Sequence, residues 1–466
     1  MVQDTSISAD RATSSGTGLD PELRRIAIAV ITGTIAVVLD TTIVSVALHE
    51  LSGSLDASVD TIQWISTAYL LAMFVSIPVS GWAQGRLGAK RLWLLSLTAF
   101  LVGSVLCACA WNVESLIAFR AVQGLGGGVM LPLMTTILMQ AAHGRSLGRL
   151  MAAVSMPAAL GPILGPVVGG LILGGLSWPW LFLVNVPFCV AGLVLAARML
   201  PADAPGQRVP LDVVGLLLVC PGVVGVIYGL SNVGRAGGFG RGDVLEPLLT
   251  GLVLLVAFVL WAIRGGDRAL IDVRVFRHRQ LTTATGLLFL TGGAVYGALF
   301  LLPLYWQVVR GEDALGAGLL LIPQGVGAFV SRIPAGRLTD TVGGRWVTVV
   351  GFAVLAVATL PFAVADATTP TWWLLLALLV RGLGLGAVVI PLMTMAYVGL
   401  AREEMPDASI VTRVATQLGG SFSVAVLAVV LASTASFGDA FWWSIGSTVV
   451  AAGLSFLVPS RHAVSA

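Results

Sequence analysis

Long apolar runs separated by short polar segments make up the chain from about residue 26 onward. A helix needs about 20 mostly apolar residues to cross a membrane, whereas a membrane β-barrel would show segments of about 10 residues that alternate apolar and polar positions. The pattern therefore predicts an all-α polytopic membrane protein with fourteen transmembrane helices. The predicted spans are 26–48, 62–84, 92–111, 115–140, 148–174, 178–198, 211–231, 245–263, 281–308, 315–336, 347–366, 371–396, 407–432 and 440–459.

Composition supports the same class and excludes two others. Only 11% of the 466 residues are charged, while 57% are hydrophobic. A soluble domain carries about 25% charged residues, so an ordinary water-soluble protein is excluded. The net charge of +3 is too small to indicate binding to nucleic acid.

The basic residues are distributed unevenly between the two sides of the predicted membrane segments. If the N-terminus is cytoplasmic, nineteen of the 26 Lys and Arg residues lie in inside segments and three lie in outside loops. The other four lie within spans. Because cytoplasmic loops carry an excess of Lys and Arg, we expect a multi-pass protein of the plasma (inner) membrane with both termini in the cytoplasm.

An internal repeat divides the chain into two similar halves. The segments Gly81–Lys90 and Gly336–Arg345 align without gaps, and the same offset carries the first span onto the ninth. Two parallel six-helix halves are typical of transporters whose binding site lies between the halves. The predicted organisation is an N-terminal tail at 1–25, a six-helix bundle at 26–198, a linker with two extra helices at 199–280, a second bundle at 281–459 and a C-terminal tail at 460–466.

Six short motifs occur in order along the predicted spans and loops. They are Leu39–Leu48, Gly81–Arg91, Arg120–Gly124, Gly161–Gly170, Tyr305–Gln307 with Gly316–Pro323, and Gln417–Gly420. Together they resemble the major facilitator superfamily, and most closely its fourteen-helix drug:proton antiporter branch of the multidrug efflux type. The resemblance implies two six-helix bundles plus two inserted helices. It also implies a carrier of small molecules linked to antibiotic resistance, driven by the proton gradient without a cofactor or metal.

The resemblance also implies roles for individual residues. In that branch the Asp of the first motif and the Arg of the fourth span are linked to proton coupling, which here are Asp40 and Arg120. The loop motif latches neighbouring helices in the outward-open state, and the fifth-span motif is typical of antiporters. The corresponding residues are Gly81, Arg86, Gly88 and Arg91, their second copy Gly336, Asp340, Gly343 and Arg345, and the fifth-span residues Gly161, Pro162, Gly165, Pro166, Gly169 and Gly170. The family's loop Asp is replaced by Gly85 in the first copy.

Physical reasoning singles out the same acid. Asp40 is the only carboxylate well inside any predicted span, where an ionised Asp costs about 2.5–3.5 kcal/mol. At the rise of an α-helix, Asp40 lies roughly 12 Å and Arg120 roughly 9 Å from the outer end of their spans. We therefore predict that the two side chains can pair, either to handle protons or as a static ion pair.

A substrate cavity is predicted between the halves. Its candidate lining residues are Thr41, Tyr69, Gln123, Tyr305, Gln307, Arg381, Arg413 and Gln417. Since the predicted cavity holds one carboxylate and several arginines, we expect a neutral, anionic or monocationic lipophilic substrate. Arg332 is expected to extend to the cytoplasmic surface. The glycines near 124–128 and 382–386 are interpreted as helix-packing positions, and the two extra helices as peripheral scaffold. We expect a monomer in the lipid bilayer.

Several alternatives remain open at this point. A dedicated metabolite exporter and a proton-coupled importer would use the same fold, although the fifth-span motif favours export. An intramembrane enzyme would need paired carboxylates, a histidine cluster or a nucleophile with its base inside spans, and the sequence offers none of these. A channel would need rings of charge. The sequence therefore predicts a transporter rather than an enzyme.

Overall fold

The structure is a computed structural model of the chain. It describes residues 20–44, 47, 51, 53–57, 59–142, 150–151, 165, 168–169, 171–173, 175–203, 210–236, 240–266, 269–312, 314–366 and 368–458. The first half contains α1 (Pro21–Ile43), α2 (Val59–Leu87), α3 (Ala89–Ala108), α4 (Val113–Ala142), the short α5 (Trp180–Leu183) and α6 (Asn185–Met199). The linker contains α7 (Val213–Ala236), α8 (Gly242–Gly265) and a 3-10 turn at Val273–Arg277.

The second half repeats this arrangement with one span broken into three pieces. It contains α9 (Arg279–Val308), α10 (Ala314–Leu320), α11 (Ile322–Val330), α12 (Arg332–Thr341), α13 (Gly344–Val364), α14 (Thr371–Met395), α15 (Met405–Thr434) and α16 (Phe437–Leu454). The helices α10 to α12 together form a single span at Gly316–Thr341. Pro323 and Pro334 lie within the first turns of α11 and α12, where proline is tolerated because the backbone N–H groups there have no helical acceptor.

Thirteen helices of the described chain are long and apolar enough to cross a membrane. They coincide with thirteen of the fourteen predicted spans. The remaining one, 148–174, lies mostly outside the described residues. A backbone in lipid must satisfy its polar groups within its own segment, which explains why length and hydropathy alone located these helices.

Glycines bring the helices of each half into close contact. On α4, Gly124 and Gly128 lie against α2, whereas Gly126 lies against α3. The pattern recurs in the second half, where the α14 glycines Gly382 and Gly386 lie against α11 and Gly384 lies against α13. The prediction that these glycines serve helix packing is confirmed, and the matching order shows that α4 and α14 are equivalent helices.

The two halves meet at one end of the bundle. We call the end at which α1 begins and α2, α4 and α6 terminate the basic face, because Arg86, Lys90 and Arg91 lie there. One buried apolar cluster joins both halves towards this face and includes Ile137, Leu138, Leu281, Met395 and Ala408. Towards the opposite face the described residues form separate cores, one around Ile62 and Leu116 and the other around Phe362 and Leu427.

The extra helices occupy different environments. The helix α8 is largely exposed, as predicted for a peripheral element, with Val253 66% exposed. The helix α7 instead packs in one cluster with Phe74 and Ile77 of α2 and Ile410 of α15. The Cys220 thiol of α7 lies 3.4 Å from the carbonyl oxygen of Val75. The helix α7 therefore contacts both halves, which the uniformly apolar sequence of the pair did not reveal.

Candidate functional site

A buried ion pair joins α1 to α4. Nη1 of Arg120 lies 2.6 Å from Oδ2 of Asp40, and the two side chains are 1% and 0% exposed. Asp40 lies near the C-terminal end of α1, and Arg120 lies two turns into α4. The two helices run in opposite directions, so these positions fall at similar depth. The structure thus brings together the two residues whose pairing the sequence predicted.

Two amides complete the environment of the Asp40 carboxylate. Nε2 of Gln123 and Nδ2 of Asn185 each donate to Oδ1 at 3.0 Å. Gln123 also accepts from Nη1 of Arg120 at 2.6 Å and donates to Oγ of Ser104 at 2.7 Å. Since all three partners of the carboxylate are donors, the arrangement fits an ionised Asp40. A proton added to Oδ1, which already accepts from two donors, would have to displace one of them.

Aromatic rings and a backbone carbonyl hold the Arg120 guanidinium. Its Nε donates to the carbonyl oxygen of Ile65 at 3.3 Å. Its Cζ lies 4.0 Å from the centre of the Tyr69 ring and 5.7 Å from that of Phe182. A desolvated cation is attracted to the face of an aromatic ring. The guanidinium therefore retains partners other than Asp40, which lowers the cost of breaking the ion pair.

Four of the predicted site residues thus lie in one network: Asp40, Arg120, Tyr69 and Gln123. Tyr69 and Gln123 are enclosed within the first half, at 1% and 0% exposure, instead of lining an open cavity. Thr41 is exposed beside the network, and its hydroxyl donates to the carbonyl oxygen of Val38.

Asn185 and Ser104 belong to this network and were not predicted. The signal in the sequence was an amide inside the apolar stretch Leu181–Val190 and a hydroxyl inside α3. Neither is distinctive, because serine satisfies its own hydroxyl in many membrane helices.

Arg381 occupies the position in the second half that Gln123 occupies in the first half. It precedes Gly382 as Gln123 precedes Gly124, on the equivalent helix. Its guanidinium donates to Oε1 of Gln324 at 2.8 Å, Oγ1 of Thr359 at 3.2 Å and the carbonyl oxygen of Ala294 at 3.1 Å. All of these acceptors are neutral, so no carboxylate of the described chain pairs with Arg381.

Two other arginines of the second half, Arg332 and Arg413, differ in burial and in hydrogen-bond partners. Arg332 is 6% exposed, and its Nε donates to the carbonyl oxygen of Ala328. The expectation that it extends to the surface is therefore wrong, because its side chain is buried where α12 packs against α14. Arg413 of α15 is half-buried and makes no hydrogen bond or ion pair with a described residue. It lies within electrostatic range of Tyr69.

The remaining cavity candidates are separated by the structure. Gln417 lies one turn from Arg413, and its Oε1 accepts from the Tyr296 hydroxyl at 3.2 Å. Tyr305 does not line a cavity, since it packs in an aromatic cluster with Phe362 and Phe441 and is 1% exposed. Gln307 is exposed near the end of α9. Both were predicted from a motif, and the rotation of α9 places Tyr305 in this aromatic cluster.

The first loop motif connects helices of one half. Gly88 has a φ of +85° that lets the chain turn from α2 into α3. Asp203 caps α3 by accepting from the backbone N–H groups of Lys90 and Arg91 at 2.8 and 2.9 Å. Nζ of Lys90 donates to carbonyl oxygens at the end of α6.

The other residues of this motif point in different directions. Gly81 lies against Pro406 and Ile410 of α15 in the other half, so the motif also touches the contact between the halves. Arg86 is exposed and lies over the ring of Trp82. Arg91 is also exposed, and only its backbone takes part in the cap.

The second copy of the loop motif repeats the turn. Gly343 has a φ of +97° between α12 and α13, matching Gly88, and Gly336 is buried in α12. Arg345 lies near the Phe456 ring, and Asp340 is half-buried. Of the fifth-span motif, Gly165 and Gly169 are buried, and Gly165 lies against Thr42 of α1. Gly161, Pro162, Pro166 and Gly170 lie outside the described residues.

Comparison with known proteins places this geometry in context. Residues 30–424 match the family model described as "Major Facilitator Superfamily". The chain is 36% identical over 415 residues to the "Multidrug resistance protein B homolog" of Mycobacterium tuberculosis, covering 89% of this chain and 77% of the relative. It is 31% identical to the "Multidrug export protein EmrB" of Haemophilus influenzae, covering 82% of this chain and 76% of that protein.

Solved structures agree on the fold. The proton:xylose symporter XylE superposes with a TM-score of 0.66 at 14% identity, over 94% of this chain and 96% of that chain.

Proposed function

This chain belongs to the major facilitator superfamily, and from that membership we propose that it is a proton-coupled exporter of lipophilic small molecules. The basic face is assigned to the cytoplasm, because cytoplasmic loops carry the excess of Lys and Arg. Both termini then lie in the cytoplasm, in the plasma membrane. The names of the two bacterial relatives support drug export and a role in antibiotic resistance.

The buried Asp40–Arg120 pair is the observation that carries proton coupling. An ionised carboxylate inside a membrane protein marks a candidate proton path, and this one is held by three donors that a proton would disturb. Protonation of Asp40 removes its negative charge and releases Arg120 to its remaining partners, Gln123, the Ile65 carbonyl and the Tyr69 ring. The helices α1 and α4 are then no longer tied by charge.

The halves meet towards the basic face, which fits an outward-facing state. In that state a proton from outside reaches Asp40 as the substrate leaves. In the opposite state substrate binds from the cytoplasm and the proton leaves to the cytoplasm. Coupling requires only that proton and substrate favour opposite states. Rocking of the halves about the central site provides the exchange.

A dedicated metabolite exporter and a proton-coupled importer remain the competing functions. The fold is shared with a sugar symporter, so architecture alone does not set the direction of transport. The test uses inverted membrane vesicles that are energised by respiration and loaded with a pH-sensitive acridine dye. A panel of lipophilic compounds is added to vesicles containing the wild type, Asp40→Asn or Asp439→Asn. Asp439 is an exposed carboxylate in the first turn of α16 and serves as the matched control.

Export coupled to proton entry raises the lumenal pH when a substrate is added. We expect this response in the wild type and in Asp439→Asn, and its loss in Asp40→Asn. A response that persists in Asp40→Asn would place the coupling site elsewhere. If vesicles of right-side-out orientation were used and addition of a solute raised the pH of the external medium, the protein would be an importer instead.

A further inference from the structure

The membrane interior of the second half carries uncompensated positive charge. In the first half, Arg120 is neutralised by Asp40. In the second half Arg332, Arg381 and Arg413 lie within spans, and none pairs with a carboxylate in the part of the chain that the structure describes. The two halves therefore differ in charge although they share a fold.

These three arginines are not equally available to a ligand. Arg381 is 2% exposed and already donates to three acceptors. Arg332 is enclosed beside its own helix. Arg413 is half-buried and has no hydrogen-bond acceptor among the described residues. Nη1 of Arg332 also lacks a hydrogen-bond partner, but it is buried. A guanidinium has five N–H donors, so Arg413 is the partly exposed cation whose donors have no acceptor among the described residues.

Arg413 faces the seam between the halves. Residues 409, 413 and 417 are spaced by four and share one face of α15. On that face, Oγ of Ser409 donates to the carbonyl oxygen of Pro132 in α4 at 3.0 Å. Arg413 thus lies one turn farther from the basic face than a direct contact between the halves, towards the side where their cores separate.

One further polar group lies near this guanidinium. Gln417 follows one turn later on the same face of α15, and its amide nitrogen has no hydrogen-bond acceptor in the described chain while its oxygen accepts from Tyr296. Arg413 and Gln417 thus both carry N–H donors that have no acceptor among the described residues, and a ligand oxygen here would satisfy them.

We propose that Arg413, with Gln417, forms a subsite for the negatively charged group of an anionic amphiphile, such as an organic carboxylate. This inference rests on the proposed transport function and narrows its substrate class. Arginine binds carboxylates through two parallel N–H donors. Asp40, enclosed in the other half, does not compete for Arg413, so proton and anion occupy separate halves.

The test is a binding measurement on the full-length purified protein in detergent. The probes are dansyl-aminooctanoate and its primary amide, which differ only in the charged group, and binding is followed by fluorescence anisotropy. The variants are Arg413→Gln, Arg413→Lys and Arg264→Gln. Arg264 is an exposed arginine at the end of α8 and provides the same substitution away from the seam.

We expect the wild type and Arg264→Gln to bind the carboxylate at least tenfold more tightly than the amide. Arg413→Gln should remove this preference by weakening the carboxylate alone, and Arg413→Lys should keep most of it. Equal affinities of the two probes for the wild type, or an unchanged preference in Arg413→Gln, would overturn the proposal. If Arg413→Gln fails to fold, the wild-type comparison and Arg413→Lys still decide the outcome.

Binding in detergent requires no proton gradient, so the two proposals fail separately. A carboxylate preference that depends on Arg413, together with no proton-linked response in vesicles, would retain the subsite and reject antiport. A proton-linked response with no preference for the carboxylate would retain antiport and reject the subsite.

Discussion

At the scale of single residues, the central feature is a charge pair that the membrane would otherwise exclude. Taking two ions out of water is costly, and their attraction offsets that cost only when other groups satisfy their remaining hydrogen bonds. Gln123, Asn185 and the Ile65 carbonyl provide those groups, and Ser104 in turn accepts from Gln123. The same network that stabilises the pair gives Arg120 alternative partners, which a reversible proton switch needs.

Removing one member of this pair should destabilise the protein more than removing both charges. Arg120→Met leaves the Asp40 carboxylate buried without its cation, which costs about 3–5 kcal/mol, whereas replacing both partners is often nearly neutral. We therefore expect a large drop in the apparent Tm for Arg120→Met and partial recovery in the double variant Asp40→Asn/Arg120→Met. Thermal unfolding in detergent measures this. If the two substitutions lowered the apparent Tm additively in the double variant, the close coupling of the two side chains would be contradicted.

At the scale of helices, Asp203 holds the start of α3. Replacing a capping carboxylate by Ala costs about 0.5–2 kcal/mol, so Asp203→Ala should speed hydrogen exchange in the first turns of α3 without affecting α1. Asp20→Ala is the matched control, since Asp20 caps α1 by accepting from the N–H of Glu22 at 3.1 Å. Mass spectrometry of peptides from both helices checks this. Equal protection of α3 in Asp203→Ala and the wild type would argue against the cap.

The helix α7 is the element whose position was least expected. It contacts α2 and α15, which belong to different halves, so any movement of the halves must change these contacts. Val223 of α7 is buried in this cluster. Overpacking a core costs about 1–3 kcal/mol.

Val223→Trp should therefore lower both the apparent Tm and the transport rate in vesicles. Val253→Trp, on the exposed face of α8, should change neither. If Val223→Trp transports at the wild-type rate, α7 would be a passive spacer.

At the scale of the whole molecule, the net charge moved in one transport cycle sets the response to membrane potential. If one proton enters and one monoanion leaves per cycle, two positive charges move inward in effect. Each charge contributes about 2.3 kcal/mol per 100 mV. For a neutral substrate only the proton contributes.

Proteoliposomes with potassium diffusion potentials set by valinomycin test this. The initial transport rate of the dansyl carboxylate should rise more steeply with an inside-negative potential than that of its amide. Equal slopes for the two probes would contradict the assignment of an anionic substrate. If the rate of carboxylate transport did not change with the potential, the exchange of one proton for one monoanion would be excluded.

The sequence by itself determined the membrane class, the helices and their repeat, because lipid imposes length and hydropathy on each span separately. It also identified Asp40 and Arg120, since a charge inside a span is conspicuous and needs a partner. Only the tertiary structure decided which way each helix faces. Most spans are apolar on every side, so the sequence does not encode their rotation. For that reason the sequence did not predict that Asn185 belongs to the site or that Tyr305 packs in an aromatic core. It also did not predict that Arg332 is buried or that α7 contacts both halves.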